Sequence, residues 1–412
     1  MSRSFTLAPA VVLGLAAACA SAAPSAAPAT QAAVALSTRP NSVIMADSVM
    51  VRDPDPRTID SPQRFAWNYT QGLVLKSVHA VYEKTADRKY LDYVTKYFDY
   101  FVNPDGTIKT YTMEEYSVDK IPPGKVLFDI HANTKDERYR KAIELLRTQM
   151  KTHPRTKEGG FWHKKRYPWQ MWLDGLYMAS PFLAQYAVTF NEPALLDDVI
   201  NQYVWMENHA RDPKTGLLYH GWDESKEQKW ANKETGLSPE VWGRAMGWYA
   251  MALVDVLDFI PKSHPRRGEI VAILNRLVEA VVKVQDPKTG VFWQVLDKGD
   301  RKGNYLESSA SVMFAYSLLK ATRLGHIDAK YRAEGRRAYE GILKEFITTD
   351  DKGVMTIHKG CAVAGLGGDP NAAGQYRSGT FDYYMSEPVR DSDAKAVGPF
   401  ILASLEIESL KK

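Results

Sequence analysis

The motif DPKTG occurs twice in this chain. It stands at Asp212–Gly216 before LLYH (Leu217–His220) and again at Asp286–Gly290 before VFWQ (Val291–Gln294). Weaker copies are Asn103–Gly106, Lys157–Gly160 and Asp350–Gly353. Each copy is a turn signature that precedes a short extended run. The glycines at 106, 160, 216, 290 and 353 are separated by 54, 56, 74 and 63 residues. A period near 60 holds two helices and one turn, so it predicts a repeated helical hairpin.

The segments between these turns carry apolar residues at helical spacing, and long regular strands are absent. Helices are predicted over 64–84, 88–102, 122–133, 136–152, 168–189, 193–210, 240–260, 266–285, 306–324, 329–347 and 394–410. Five hairpins carry the repeated turn, and a further helical segment lacks it, so the chain holds about six hairpins. Six hairpins predict an all-α fold, an (α/α)6 toroid. Its inner helices would begin near Arg64, Pro122, Pro168, Glu240, Leu306 and Ala394. An open α-solenoid is the alternative, but the loops carry Trp, Tyr and His where a scaffold would carry small polar residues.

The N-terminal residues have the pattern of an export signal. Arg3 precedes an apolar run over 7–18, and small residues follow at Ala20–Ala22, so residues 1–22 are predicted to be a signal peptide. Residues 23–60 are interpreted as an Ala/Pro-rich linker and N-terminal extension, and 61–412 as the catalytic domain. We expect a periplasmic or secreted protein. A lipid anchor at Cys19 is a second possibility, because Ala16–Cys19 loosely resembles a lipoprotein box.

Composition excludes several other classes. The net charge is only +4, from 53 Lys and Arg against 49 Asp and Glu, and the two signs are interspersed, so no nucleic-acid partner is expected. No further stretch is apolar enough to predict a membrane span. Cys361 is the single thiol left after cleavage at 22, so no internal disulfide is expected, and we interpret Cys361 as a small buried hydrophobic residue.

Three clusters of aromatic and polar residues lie at or near the predicted starts of inner helices: Trp67–Tyr69, Tyr167–Gly175 and Trp242–Tyr249. Aromatic faces pack against the C–H faces of pyranose rings, and polar groups hold the hydroxyls. One such cluster is more typical of a core. Three clusters of the same composition on alternate helices indicate a sugar-binding cleft.

Two carboxylates are candidates for chemistry. Asp174 lies in an otherwise apolar helix beside Trp172 and Gly175, where poor solvation favours the neutral form that a general acid needs. Asp119 stands before Pro122 at a predicted helix start, so a helix cap is nearly as good an interpretation as a catalytic role.

His163 and His220 occupy equivalent loop positions, but no His-x-x-x-His or Cys pair accompanies them, so no metal site is predicted there. Arg244, on an aromatic-rich helix, has the fork geometry that suits a substrate carboxylate.

These residues resemble glycoside hydrolase family 105. The resemblance rests on His163–Met178, Pro239–Trp248, Ala364–Gly368, Tyr383–Pro388, Val118–Asp119 and Pro123–Lys125, in order over about 320 residues. It implies a six-hairpin toroid that removes a 4,5-unsaturated uronic acid from the non-reducing end of oligosaccharides made by lyases. An acid protonates C4 of the enol-ether double bond and water adds at C5, unlike the two-carboxylate displacement of ordinary glycosidases.

The resemblance also assigns roles. It implies that Asp174 is the acid and Asp119 a second essential carboxylate, that no cofactor or metal is needed, and that the unsaturated sugar is lined by His163, His220, Trp242, Arg244 and Trp248. We add Tyr69 and Trp172 from the aromatic clusters.

Rhamnogalacturonan fragments are the expected substrate, and we expect a monomer. Two alternatives stay open: an unsaturated glucuronyl hydrolase acting on ulvan or glycosaminoglycan fragments, and a non-catalytic sugar-binding toroid.

Overall fold

The computed structural model describes residues 39–60, 63–368 and 376–410, which belong to one compact unit that begins at Arg39. The predicted signal peptide, the possible anchor at Cys19 and the linker up to residue 38 lie outside the described residues. Within the described part of the chain, none of the helices combines the length and the apolar character that crossing a membrane requires.

The fold is a closed ring of paired helices, as the repeat predicts. The inner helices are α2 (Tyr69–Thr85), α4 (Gly124–Thr134), α6 (Leu173–Thr189), α8 (Gly243–Val256), α10 (Ser308–Arg323) and α13 (Ala394–Ser409). Each packs against the next, and α13 packs against α2 and so closes the ring. The outer helices are α3 (Arg88–Phe101), α5 (Glu137–Thr152), α7 (Leu195–Ala210), α9 (Arg267–Val281), α11 (Tyr331–Phe346) and α1 (Asn41–Arg52).

Helix α1 corrects the predicted domain boundary. Residues 41–52 were assigned to the N-terminal extension, but they form the outer helix that pairs with α13. Ile44, Met45, Ala46 and Val49 are buried in the main core. The main-chain N–H and the hydroxyl of Ser42 also donate to the Glu408 carboxylate, at 3.1 and 2.7 Å. The segment from residue 41 onward therefore belongs to the toroid.

The repeated turns follow five of the outer helices and lead into the next inner helix. In both DPKTG copies the aspartate side chain accepts a hydrogen bond from the threonine hydroxyl, at 2.7 Å in Asp212 and in Asp286. Gly216 and Gly290 have φ of +76° and +79°, a conformation that favours glycine. In the Lys157–Gly160 copy the positive φ falls on Gly159 instead of Gly160.

A short strand delays the start of α6, and four other inner helices also begin late. Strand β1 (Gln170–Trp172) pairs antiparallel with β2 (Gly221–Asp223), so α6 begins at Leu173 instead of the predicted 168. Helices α2, α4, α8 and α10 likewise begin two to five residues after the predicted positions. The other strands are β3 (Ile347–Thr349), β4 (Met355–Ile357), β5 (Gly360–Cys361) and β6 (Val389–Arg390), and α12 (Phe381–Ser386) is a short helix that periodicity did not predict.

Candidate active site

A cavity of about 880 Å³ opens where the inner helices begin. Its walls come from residues at the starts of α2, α6, α8 and α13 and from the loops before them. The predicted site residues among its lining are Tyr69, Asp119, His163, Trp172, Asp174, Trp242, Arg244 and Trp248. Predicted residues that lie far apart in sequence therefore meet in one cavity.

Asp174 stands in the first turn of α6, and its partner is His220. The Nε2 atom of His220 lies 3.2 Å from Asp174 Oδ2, although the two groups are poorly aligned for a hydrogen bond. Catalytic hydrogen bonds are often poorly aligned without substrate. His220 itself is not part of the cavity lining and is fully buried behind Asp174.

The other ring nitrogen of His220 is held by Tyr384 on α12, with 2.7 Å between Nδ1 and the phenol oxygen. Burial raises the pKa of Tyr384 well above its ordinary value, so the phenol keeps its proton. The protonated phenol can therefore donate to Nδ1. With Nδ1 as the acceptor, the single proton of a neutral imidazole would lie on Nε2, facing Asp174.

Asp119 has a different environment. It lies in a 3-10 turn, Val118–Lys120, just before α4, and is buried. Its Oδ2 pairs closely with the Lys164 ammonium, and its Oδ1 is 3.2 Å from His163 Nε2. Burial alone would raise the pKa of Asp119, but the charges of Lys164 and His163 outweigh burial and hold that pKa well below its usual value. Asp119 is therefore a fixed carboxylate, and the interpretation as a helix cap does not describe it.

Aromatic rings build the wall and floor of the cavity. The Trp172 ring stacks against His163, with centroids 4.3 Å apart, and against Tyr167 at 5.1 Å. Deeper in, Trp242 stacks on Tyr384 at 5.5 Å. Flat apolar faces beside carboxylates are what a pyranose ring requires.

Gly175 permits the His163 ring to lie close to the first turn of α6. A Cβ atom on Gly175, which follows Asp174, would lie 3.2 Å from His163 Nδ1. The residue after the candidate acid must therefore be small if His163 is to reach Asp119.

Arg244 is buried at the cavity, where its guanidinium lies 4.8 Å from the Trp242 ring and donates to the Cys361 carbonyl. Eight Lys and Arg residues line the cavity against four Asp and Glu residues. This excess of positive charge favours an anionic ligand. Cys361 is buried and free, as its interpretation as a small buried residue requires.

The residues of the Trp67–Tyr69 cluster lie in two different environments. Trp67 is fully buried against Tyr97 and Phe98, and its indole N–H donates to the Lys120 carbonyl, so it belongs to the core. Its neighbours Asn68 and Tyr69 do line the cavity.

Four charged or polar residues stand out among those of this site that sequence reasoning missed. Lys164 directly follows His163, and Tyr384 stands in a quoted family segment, so the resemblance gave a signal for both. Arg390 and Lys395 also line the cavity, where Asp393 accepts from both side chains, and no pattern in the sequence pointed to them.

Comparison with known proteins identifies the family. The family model described as Glycosyl Hydrolase Family 88 matches residues 41–411. A solved structure of a family 105 glycoside hydrolase from C. acetobutylicum is 47% identical, with a TM-score of 0.86, and the match covers 90% of this chain and 100% of that one.

Two curated proteins are also similar to this chain. Protein Atu3128 of Agrobacterium fabrum is 42% identical over 233 residues, which is 56% of this chain and 97% of the relative. Unsaturated rhamnogalacturonyl hydrolase YesR of Bacillus subtilis is 29% identical over 266 residues, 63% of this chain and 72% of the relative. This chain therefore belongs to the glycoside hydrolases covered by the family 88 model and, within them, to the family 105 type.

Proposed function

We propose that this enzyme removes a 4,5-unsaturated uronic acid from the non-reducing end of oligosaccharides that a rhamnogalacturonan lyase produces. The observation that carries the proposal is a pair of carboxylates with different partners in one aromatic, positively charged cavity. The likeness to the B. subtilis unsaturated rhamnogalacturonyl hydrolase supports the choice of substrate.

Asp174 is the proposed acid. Its Oδ2 faces the Nε2–H of His220, which leaves Oδ1 to carry the proton toward the sugar. Transfer of that proton to C4 and addition of a water oxygen at C5 convert the double bond into a hemiketal, and the second water proton returns to Asp174. The hemiketal then opens and releases the leaving sugar. One positioned acid and one positioned water suffice for this reaction.

Asp119 is the proposed anchor for sugar hydroxyls. A carboxylate that Lys164 and His163 hold in its charged form is a poor proton donor at neutral pH but a strong hydrogen-bond acceptor. The Asp119 and Asp174 carboxylates therefore divide the work of binding and proton transfer.

Arg244 is the proposed partner of the uronate carboxylate. The guanidinium lies beside Trp242, so charge and ring face can hold one uronate ring together. A non-catalytic sugar-binding protein would have no need of an acid beside a tautomer-fixed histidine.

The test uses the ultraviolet absorbance of the conjugated uronate, which disappears when the double bond is hydrated. Purified enzyme and an unsaturated rhamnogalacturonan disaccharide should lose this signal, and Asp174→Asn should abolish the loss. Asp92→Asn, on the exposed side of α3, is the matched control and should keep full activity. A steady signal with the unaltered enzyme, or turnover by Asp174→Asn, would contradict the proposal.

The leaving sugar is settled by the same assay on a substrate panel. Unsaturated disaccharides from rhamnogalacturonan, ulvan and glycosaminoglycans should give the highest kcat/KM with the first. A higher value on either of the others would make the enzyme an unsaturated glucuronyl hydrolase for that polymer.

We further propose that the reaction takes place outside the cytoplasm and that the enzyme acts as a monomer, following the leader pattern and the self-contained ring. Cell fractionation with mass spectrometry of the mature N-terminus tests the first proposal and distinguishes a lipidated Cys19. Light scattering of the purified protein tests the second.

A further inference from the structure

A second group of ionisable residues lies away from the catalytic cavity, where α2 faces α4. His79 on α2 is buried, with 1% of its surface exposed, and neither ring nitrogen has a hydrogen-bond partner among the described residues. Leaving a buried polar group without a partner costs about 1–3 kcal/mol. An unpaired imidazole in a core therefore needs an explanation, and a bound ion is one.

Two carboxylates face this imidazole. His79 Nδ1 lies 3.7 Å from Glu83 Oε1, one helical turn further along α2, and 3.8 Å from Asp129 Oδ2 on α4. The three ligand atoms lie within 4.8 Å of one another. Ligands at Zn²⁺ bond lengths of about 2.1 Å in a tetrahedron are about 3.4 Å apart. Shifts of a few tenths of an ångström bring the two His79 pairs to that spacing, and the Glu83 side chain, which is exposed, must swing further to close the pair with Asp129, which lies within 4.8 Å.

We propose that His79, Glu83 and Asp129 form a binding site for a divalent transition-metal ion of the zinc class. One imidazole nitrogen with two carboxylate oxygens is a donor set that Zn²⁺ accepts. Ca²⁺ and Mg²⁺ prefer oxygen ligands alone, so the histidine selects against them. Glu83 is exposed, which gives the ion a path from solvent and leaves room for a water as the fourth ligand.

Lys76 competes with the ion. Its ammonium lies 2.6 Å from Asp129 Oδ2, the same oxygen that faces His79. The Lys76 side chain must move aside when the ion binds, so it sets the affinity of the site. Removal of its charge should tighten binding.

The site's place in the fold gives it a structural role. His79 follows Tyr69 by ten residues on α2, about 15 Å along the helix axis, so an ion there is remote from the catalytic cavity. It would join two neighbouring inner helices, α2 and α4, and stabilise the ring against opening between them. The expectation that hydrolysis needs no metal is unaffected.

The experiment is titration of untagged, chelator-treated protein with Zn²⁺ by isothermal calorimetry. One saturable site is expected, with a higher melting temperature in the presence of Zn²⁺ and no such effect of Ca²⁺. Glu83→Gln, an exposed substitution that should not disturb folding, should weaken binding by about tenfold or more, and Lys76→Met should strengthen it. His209→Gln, at the surface pair with Glu158, is the matched control and should change nothing.

Absence of saturable binding to the unaltered protein would overturn the proposal, as would a site that is insensitive to both Glu83→Gln and Lys76→Met. In that case water or the Lys76–Asp129 pair alone accounts for His79. Because binding and melting are measured without substrate, these outcomes are independent of the proposed hydrolase activity.

Discussion

Replacing Tyr384 by Phe removes one hydroxyl from a fully buried position and leaves the ring in place, so the change isolates a single hydrogen bond. The lost bond is the 2.7 Å contact with His220 Nδ1. In the variant, His220 either keeps a buried nitrogen without a partner or moves its proton to Nδ1. The second choice turns the bare Nε2 lone pair toward Asp174 and removes the donor that fixes the proton on Oδ1.

The expected fall in kcat follows from the burial of the His220 nitrogen that loses its partner. An unsatisfied buried group costs about 1–3 kcal/mol. If most of that cost is felt where Asp174 donates its proton, kcat should fall by roughly 10- to 100-fold. KM should change less, because Tyr384 does not line the cavity.

The assay is the loss of uronate absorbance under saturating substrate across a pH series, for the unaltered enzyme and two variants. Tyr339→Phe is the control, since Tyr339 is also buried and its hydroxyl bonds to Ser404 at 2.8 Å, between outer and inner helices. Both variants should melt at lower temperature, but only Tyr384→Phe should lose turnover. Equal kcat values in the two variants would refute the role assigned to the Tyr384–His220 pair.

Three further predictions concern charge. Arg244→Lys keeps the charge but loses the guanidinium fork, so steady-state kinetics should show KM for the uronate rising about tenfold; an unchanged KM would exclude carboxylate binding. Lys164→Met removes the cation that opposes burial at Asp119, so the acidic limb of the kcat/KM profile should move to higher pH. Burial lowers the pKa of His153 to about 4, so the unfolded chain binds more protons below about pH 6.5. The contribution of His153 to the free energy of unfolding, on the order of 3 kcal/mol, is present above pH 6.5 and lost toward pH 4. Urea unfolding should show the free energy of unfolding fall between these pH values, and His153→Gln should reduce that fall.

The ring was predictable because helical periodicity and repeated turns are local signals. The DPKTG turns place an aspartate, a threonine and a glycine within five residues, and each makes its contacts inside the turn. Helix α1 lacked such a signal. It is short, no marked turn precedes it, and its partner α13 is more than 300 residues away in sequence.

The types of residue in the site could be predicted from the sequence and from the family resemblance, but the contacts between them could not. Asp119 and Asp174 are both aspartates, and nothing in the sequence around them shows that their partners differ. The pairing of Lys164 with Asp119 and of Tyr384 with His220 depends on loops that meet only when the ring closes. The start of α6 differs from the prediction for the same reason, since β1 finds its partner β2 about fifty residues later.

The pairing of α1 with α13 makes the order of synthesis matter for assembly. The outer half of the last hairpin is made first and the inner half last, so α1 must wait for nearly the whole chain before Ser42 can meet Glu408. Contacts between residues so far apart in sequence slow folding, because the entropy of closing the long loop is lost before the contacts stabilise the chain. A circular permutant that joins the two helices directly and opens one of the surface turns would make that hairpin local, and it should refold faster with the same cavity.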